Sequence, residues 1–231
     1  MNAHPTTAAL AIDQLAFAYP GADVQLVVPS FHLAAGEQAL LVGGSGTGKS
    51  TLLQLIAGLR DPQSGSIRVA GVDITRLGGA ARDAARGAHI GVIFQTFNLL
   101  AGFSALDNVL MALMFSDVRT AEHEARARSL LRTLDMRHED QDVATLSVGQ
   151  QQRVAVARAL AAKPELVLAD EPTASLDPAN ASAALDLIQH ACKEAGAALL
   201  CTSHDPSIRE RFARVQSVDE FLRPVAAGAH S

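Results

Sequence analysis

Basic residues are the scarcer charge in this 231-residue chain: 19 Lys and Arg stand against 24 Asp and Glu, for a formal net charge of −5. A nucleic-acid binder carries a basic surplus, so that class has no electrostatic support here. Long apolar runs are missing too. The longest strongly apolar stretch, residues 109–115, falls far short of the roughly 20 residues that cross a bilayer. Cysteine is reduced to Cys192 and Cys201. They lack metal-ligand spacing and read as small buried hydrophobes in a reducing compartment. Residues 1–10 have neither a basic stretch nor an apolar core, so no secretory leader is expected there. No internal repeat and no low-complexity tract is present. Hydrophobic residues make up 48% and charged residues 19%, which excludes a disordered chain and predicts a folded, cytoplasmic one.

What the chain does have is Gly43-Gly44-Ser45-Gly46-Thr47-Gly48-Lys49-Ser50-Thr51. The string reads Gly-x-x-x-x-Gly-Lys-Ser between an apolar run (39–42) and an apolar segment (52–59), the strand–loop–helix setting of a phosphate cradle. Its glycines let the backbone aim successive N–H groups at one anion. A helix beginning near Lys49 adds the positive end of its dipole. Lys49 can reach β- and γ-phosphates, and the Ser50 hydroxyl can ligand Mg²⁺. The stretch predicts binding of a nucleoside triphosphate.

Around it the sequence alternates strand and helix signals. Residues 1–9 read as a frayed start. Residues 10–19 alternate at Ile12, Leu15 and Phe17 as a half-buried strand does. Residues 25–33 read as a returning strand interrupted at Pro29, turns are expected at Asp61-Pro62 and Ser64-Gly65, and 66–70 and 90–94 read as strands. From 96 to 160 the composition shifts toward helix. Residues 122–134 keep helical spacing at Ala127, Leu130, Leu131 and Leu134, with Thr120 as the expected cap and Glu122/Arg126 and Glu124/Arg128 as i, i+4 pairs. Residues 150–162 and 181–195 read as helices, and 166–169 and 197–202 as buried strands. The pattern predicts an α/β fold with a mainly parallel sheet and a helical insertion near 96–160.

Three further features carry chemistry. Asp170 ends the run 166–169, where a carboxylate beside a phosphate loop can hold Mg²⁺ through water, and Glu171 is placed to polarise a water aimed at the γ-phosphate. An acidic pair also simply ends many strands; its company here favours the site reading. Leu146-Ser147-Val148-Gly149-Gln150 contains Ser-x-x-Gln, which alone is an ordinary capping box, yet the same geometry offers N–H groups and a hydroxyl to an anion. His204 follows the strand 197–203. A lone histidine there is usually a satisfied polar end, but it comes next in order after the strand bearing Asp170 and Glu171.

Taken in order, Tyr19, Gly43 to Ser50, Gln95, Leu146 to Arg153, Asp170-Glu171-Pro172-Thr173, Ser175-Leu176-Asp177 and His204 resemble the ATP-binding subunit of an ATP-binding-cassette transporter. The resemblance runs from about residue 10 to residue 215. It implies a P-loop NTPase core with an N-terminal antiparallel β subdomain and an inserted helical subdomain. The whole of 1–231 would form one cassette, with core and β subdomain at about 10–95 and 163–217 and the helical part at about 96–160. It implies that Tyr19 stacks on adenine, that Gly43 to Thr51 wrap the phosphates, and that Lys49 and Ser50 bind phosphate and Mg²⁺. Gln95 would touch the metal and the attacking water and sense a membrane partner. Asp170 would serve the metal, Glu171 act as general base, and His204 hold the γ-phosphate. Ser147, Gly149 and Gln150 would meet ATP held on a second copy, and Asp177 would cross that dimer interface. The implied cofactors are ATP and Mg²⁺; the implied partners are a second copy and an integral membrane subunit that holds the chain at the inner face of the cell membrane.

Val148 departs from the family, which usually has glycine there; the expected consequence is an altered rate and not a lost site. Residues 94–100 and 104–109 are similar to the lipoprotein-release and macrolide-exporter branch, while Ala174-Ser175 also occurs in other branches. The short stretch after His204 predicts no appended regulatory domain. An ATPase driving a membrane subunit and an ATP-gated switch recruiting partners with little transport share every one of these motifs.

Overall fold

The computed structural model describes residues 8–225, apart from Asp117 and Ser175. The chain opens with strands β1 (Leu10–Phe17), β2 (Val24–Leu33) and β3 (Gln38–Val42), then helix α1 (Lys49–Ile56). Strands β4 (Ser64–Val69) and β5 (Val72–Asp73), helix α2 (Gly79–His89) and strand β6 (Ile90–Ile93) follow. Three helices come next: α3 (Ala105–Leu113), α4 (His123–Thr133) and α5 (Val148–Leu160). Strand β7 (Leu166–Asp170), helix α6 (Pro178–Ala195) and strands β8 (Ala198–Ser203), β9 (Arg214–Ser217) and β10 (Leu222–Pro224) complete the described chain.

Two five-stranded sheets form. One, in the order β10-β2-β1-β4-β5, is antiparallel; the other, in the order β6-β7-β8-β3-β9, is parallel. The parallel strands read as continuous apolar runs because both of their faces are covered. Leu41, Leu168 and Leu200 face α1 and the antiparallel sheet in one apolar core. Leu40, Val167, Leu199 and Cys201 point the other way, into a core shared with α3, α4, α5 and α6. The mainly parallel sheet, the antiparallel N-terminal sheet and the helical insertion are all present as expected.

Several local expectations are corrected. Pro29 does not interrupt β2, which runs unbroken from Val24 to Leu33. Its missing N–H falls opposite Gln14, which has φ of 49° and is skipped in the β1–β2 ladder although the register continues beyond it, and the Gln14 side chain donates to the Pro29 carbonyl at 3.2 Å. Ser64-Gly65 is the start of β4 and not a free turn. Ala9, placed with the frayed start, is buried and its carbonyl accepts from the Ala70 N–H; residues 1–7 lie outside the described residues. Thr120 opens a 3₁₀ turn and caps nothing; α4 starts after Glu122 without a side-chain cap. Glu124 pairs with Arg128 at 2.9 Å as expected. Arg126, however, leaves Glu122 and donates to the carbonyls of Ala161 (2.5 Å) and Leu160 (3.1 Å). Those carbonyls lie in the last turn of α5, where Leu160 accepts only an i+3 backbone bond from the Lys163 N–H, and they compete better for a guanidinium than an exposed carboxylate does.

Both cysteines are fully buried. Burial pushes the Cys192 thiol up to about 12 and raises that of Cys201 as well. Since the thiolate is the reactive form, neither should react with a thiol–disulfide exchange reagent at pH 8 in the native protein, and both should react in denaturant. Stoichiometric labelling of the native chain would contradict this packing.

Candidate functional site

The candidate residues gather at the carboxyl ends of adjacent parallel strands, where open α/β sheets place their ligand crevices. Strand β3 leads into the glycine loop, β6 ends just before Gln95, β7 ends on Asp170, and β8 ends just before His204. Because β8 lies between β3 and β7, with Val42 opposite Ser203 and Asp170 opposite Thr202, loop and carboxylates meet without any long connection.

Two glycines of the loop are required by geometry. A β-carbon on Gly43 would sit 2.4 Å from Val218 Cγ1 and 2.6 Å from Thr47 Oγ1. Gly48 caps α1 with φ of 94°, a conformation L side chains rarely adopt. Its lack of a side chain leaves the first turn of α1 with no side-chain cap and no acidic residue, so those N–H groups face the loop. Thr47 Oγ1 donates back to the Gly44 carbonyl at 2.8 Å, closing the loop on itself.

Lys49 is buried at the centre. Its Nζ donates to the carbonyls of Gly43 (2.9 Å) and Gly44 (2.8 Å) and lies 3.1 Å from Glu171 Oε1. The other Glu171 oxygen is 2.5 Å from His204 Nδ1. Ser50 Oγ donates to Asp170 Oδ1 at 3.1 Å. Glu171 itself holds φ of 47°, a left-handed backbone costing about 1–3 kcal/mol for a residue with a β-carbon. Its N–H donates to Thr202 Oγ1 at 3.0 Å, and Thr202 Oγ1 donates to Asp170 Oδ1 at 2.8 Å. Thr202, absent from the sequence-based candidates, thus holds the Asp170 carboxylate and the Glu171 backbone together. The signal for it was a hydroxyl pair, Thr202-Ser203, closing a strand that is otherwise apolar, just before His204.

A cavity of about 370 Å³ is lined by the loop, Lys49, Ser50, Gln95, Glu171 and His204. A second, of about 490 Å³, continues from Ser45, Gly46, Gly48 and Thr51 to Tyr19. The Tyr19 hydroxyl is 3.1 Å from Thr51 Oγ1, and its ring is 43% exposed. One end of this crevice therefore holds Lys49 and the start of α1, the other is aromatic. Ser50 Oγ and the Asp170 carboxylate form an all-oxygen donor pair. That suits Mg²⁺, which binds through few protein oxygens and completes its shell with water and phosphate.

The remaining candidates do not join this crevice. Ser147, Val148 and Gly149 line a separate cavity of about 410 Å³ beside α6. Ser147 caps α5, and both bonds of the capping box are made: Gln150 N–H to Ser147 Oγ at 3.3 Å and Ser147 N–H to Gln150 Oε1 at 2.9 Å. Val148 is the first residue of α5, where helical φ is required and valine is allowed, and its side chain is half exposed. The departure from glycine leaves the cap intact. Asp177 caps α6 by accepting from the Asn180 N–H at 3.2 Å. Ser175 lies outside the described residues.

The segment after Gln95 is tied to the helical insertion, which the sequence did not reveal. Phe97 and Asn98 both have positive φ, and the Arg158 guanidinium on α5 donates to their carbonyls at 2.5 and 2.6 Å. Buried Asn108 on α3 brackets Leu100, accepting from its N–H at 2.8 Å and donating to its carbonyl at 3.3 Å.

Comparison with known proteins gives the family and the fold. The model of the ABC transporter family matches residues 26–174, more than half of the chain. The lipoprotein-releasing system ATP-binding protein LolD of Chromohalobacter salexigens is 41% identical over 187 residues, spanning 80% of this chain and 79% of that protein. The dimeric post-hydrolysis structure of the ATP-binding cassette MJ0796 bound to ADP and Pi superimposes with a TM-score of 0.74 at 30% identity, covering 90% of this chain and 93% of that one. CbiO1 from Clostridium perfringens, part of the ABC transporter complex cbiONQ, gives a TM-score of 0.80 at 28% identity, covering 91% and 84%.

Thr202→Val removes one donor and one acceptor at constant volume and leaves the Glu171 N–H without its partner. It should lower unfolding free energy by about 1–3 kcal/mol, read from urea denaturation, while Thr202→Ser stays near the parent. Equal stability of all three proteins would remove Thr202 from this role.

Proposed function

The chain belongs to the ABC transporter family as an ATP-binding, ATP-hydrolysing subunit, and we propose that two copies close head to tail on ATP to drive a separate membrane subunit of the lipoprotein-release or macrolide-export type. The observation that carries this reading is the split of the candidate residues. Lys49, Ser50, Gln95, Glu171 and His204 surround one crevice, with Asp170 bonded to Ser50 beside it, whereas Ser147 and Gly149 line another cavity. A helix start that presents N–H groups and a hydroxyl, yet serves no anion in its own chain, fits the γ-phosphate held by a second copy. That MJ0796 forms a dimer with ADP and Pi supports the same assembly. The similarity to a lipoprotein-releasing ATP-binding protein supports the driving role over that of a switch with little transport.

On this reading residues 1–231 make a single cassette, with 96–160 as its helical arm. Tyr19 stacks on the adenine while the loop from Gly43 to Thr51 wraps the phosphates, and Lys49 neutralises the β- and γ-phosphate charge. Ser50, Gln95 and Asp170 would hold Mg²⁺, which supplies further charge neutralisation. Glu171 takes the proton of the water that attacks the γ-phosphorus, and His204, bonded to Glu171, holds the γ-phosphate. The ADP–phosphate bond breaks as the new oxygen–phosphorus bond forms. Once γ-phosphate is gone, Ser147 and Gly149 of the second copy lose the charge they faced, and the pair opens. Asp177 contributes at the same interface.

Among the described residues no helix is long and apolar enough to cross a membrane, so the membrane role requires a partner, and the chain sits at the inner face of the cell membrane through it. An apolar groove of about 390 Å³ beside Phe94, Leu59 and Phe115 supports one. Phe115 and Leu59 are more than half exposed there, and the Gln95 segment held by Arg158 borders it.

Glu171→Gln keeps the size of the base but cannot accept the proton. Hydrolysis should fall about 10²–10⁴-fold, and the variant should elute as a dimer with ATP and as a monomer without it. Adding Ser147→Arg should return it to monomer by filling the partner's phosphate position. A Glu171→Gln protein that stays monomeric at saturating ATP, or keeps full turnover, contradicts the mechanism.

A further inference from the structure

Tyr19 is fixed from three sides. Its hydroxyl meets Thr51 Oγ1 on α1, and the Phe17 ring packs against it edge-on with centroids 5.0 Å apart. The third contact is a cation: the Arg60 guanidinium carbon lies over the Tyr19 ring, 5.0 Å from its centroid. Arg60 follows the end of α1 and is itself anchored, its Nε donating to Gln54 Oε1 at 2.6 Å. The adjacent Asp61 is taken by Arg82 at 2.6 Å, so it does not draw the Arg60 charge away from the ring. Tyr19 lines the cavity that continues from the glycine loop, but Arg60 is not among the residues of that lining. The cation therefore covers a face of the ring without entering the cavity that Tyr19 lines.

We propose that Arg60 is a positioning residue for the nucleobase: it holds the Tyr19 ring from behind, so that the ring's cavity face is set to stack on a purine. This rests on the reading that Tyr19 stacks on adenine. The physical logic is preorganisation. An exposed tyrosine with a free χ2 loses rotamer freedom when a base lands on it, whereas this ring is already held at its hydroxyl, by the perpendicular Phe17 ring and by a guanidinium over one face. The guanidinium also draws π density toward itself, which favours an electron-rich base on the opposite face. Three of the four contributors, Thr51, Gln54 and Arg60, belong to α1 or the turn that follows it. The helix that orders the phosphates thus also sets the base platform.

The chain supplies its own probe, because Tyr19 is its single tyrosine and it has no tryptophan; tyrosine emission reports on this ring alone. The experiment uses the full chain and two ligands, ATP and inorganic tripolyphosphate, the second lacking a base. Calorimetric affinities and tyrosine emission are measured for the parent, Tyr19→Ala, Arg60→Met, Arg60→Lys and the Tyr19→Ala/Arg60→Met double variant. Arg60→Met should weaken ATP about two- to fivefold, the size of an exposed cation–π contact, and leave tripolyphosphate unchanged, while Arg60→Lys recovers part of the loss. ATP, and not tripolyphosphate, should change the emission of the parent. In the Tyr19→Ala background Arg60→Met should have no further effect. If Tyr19→Ala weakens ATP selectively but Arg60→Met does not, the stacking reading stands and the role of Arg60 falls. If Tyr19→Ala leaves the ATP affinity unchanged, the stacking reading itself falls and takes this one with it. Equal weakening of ATP and tripolyphosphate by Arg60→Met makes Arg60 a long-range charge only and overturns the proposal.

Discussion

Strand β8 runs between β3 and β7 in fixed parallel register, and Thr202 on β8 is hydrogen-bonded to both Asp170 and the backbone of Glu171. Everything at the phosphate end depends on that contact. A parallel ladder buried on both faces cannot slip by one residue without exchanging its two apolar surfaces. The positions of Lys49, Asp170, Glu171 and His204 are consequently set by the cores on either side of the sheet. The left-handed backbone of Glu171 persists because this surrounding structure holds it, and it turns the carboxylate toward both Lys49 and His204. The result is a carboxylate held between two nitrogens, Lys49 Nζ and His204 Nδ1.

What was legible in the sequence was what local chemistry decides. Gly43 and Gly48 are demanded by a close approach and a positive φ, and each part of the phosphate loop is contiguous in the chain, so the loop could be read directly. The strands leading to Asp170 and His204 were legible because burial on both faces makes residues 166–169 and 198–201 continuous apolar runs. The capping box at Ser147 is likewise local, and both of its bonds are made. What could not be read depends on distant partners. Helix α2 has no buried residue, and its apolar repeat is made of alanine alone (Ala81, Ala84, Ala85, Ala88), too weak a stripe to stand out. β9 and β10 are too short to show alternation. Pro29 is tolerated because of the irregularity at Gln14, fifteen residues away, and Arg126 chooses the end of α5 over Glu122 for the same kind of reason. Thr202, Arg158 and Arg60 matter through partners from 31 to 61 residues away, apart from local anchors.

The helical arm connects the two halves of the proposed machine. Ser147 sits at the amino end of α5 and Arg158 near its carboxyl end, gripping the segment after Gln95. A rigid helix therefore links the surface offered to a second copy with the segment that borders the apolar groove. Closure of two copies on ATP would move that segment with the arm, since Phe97 and Asn98 follow Arg158. This gives a physical route from nucleotide to partner through one packed helix, without requiring a change in the sheets.

Each ATP site on this account is composite, with Lys49 from one copy and Ser147 from the other. Two inactive variants, Lys49→Ala and Ser147→Arg, each spoil both sites of their own homodimer. Mixed, they form heterodimers in which one site combines intact Lys49 with intact Ser147, while the other carries both lesions. Steady-state ATP hydrolysis of the mixture, compared with that of each variant alone at the same total concentration, should rise above the sum of the two. A mixture no more active than that sum would contradict a nucleotide site shared between copies.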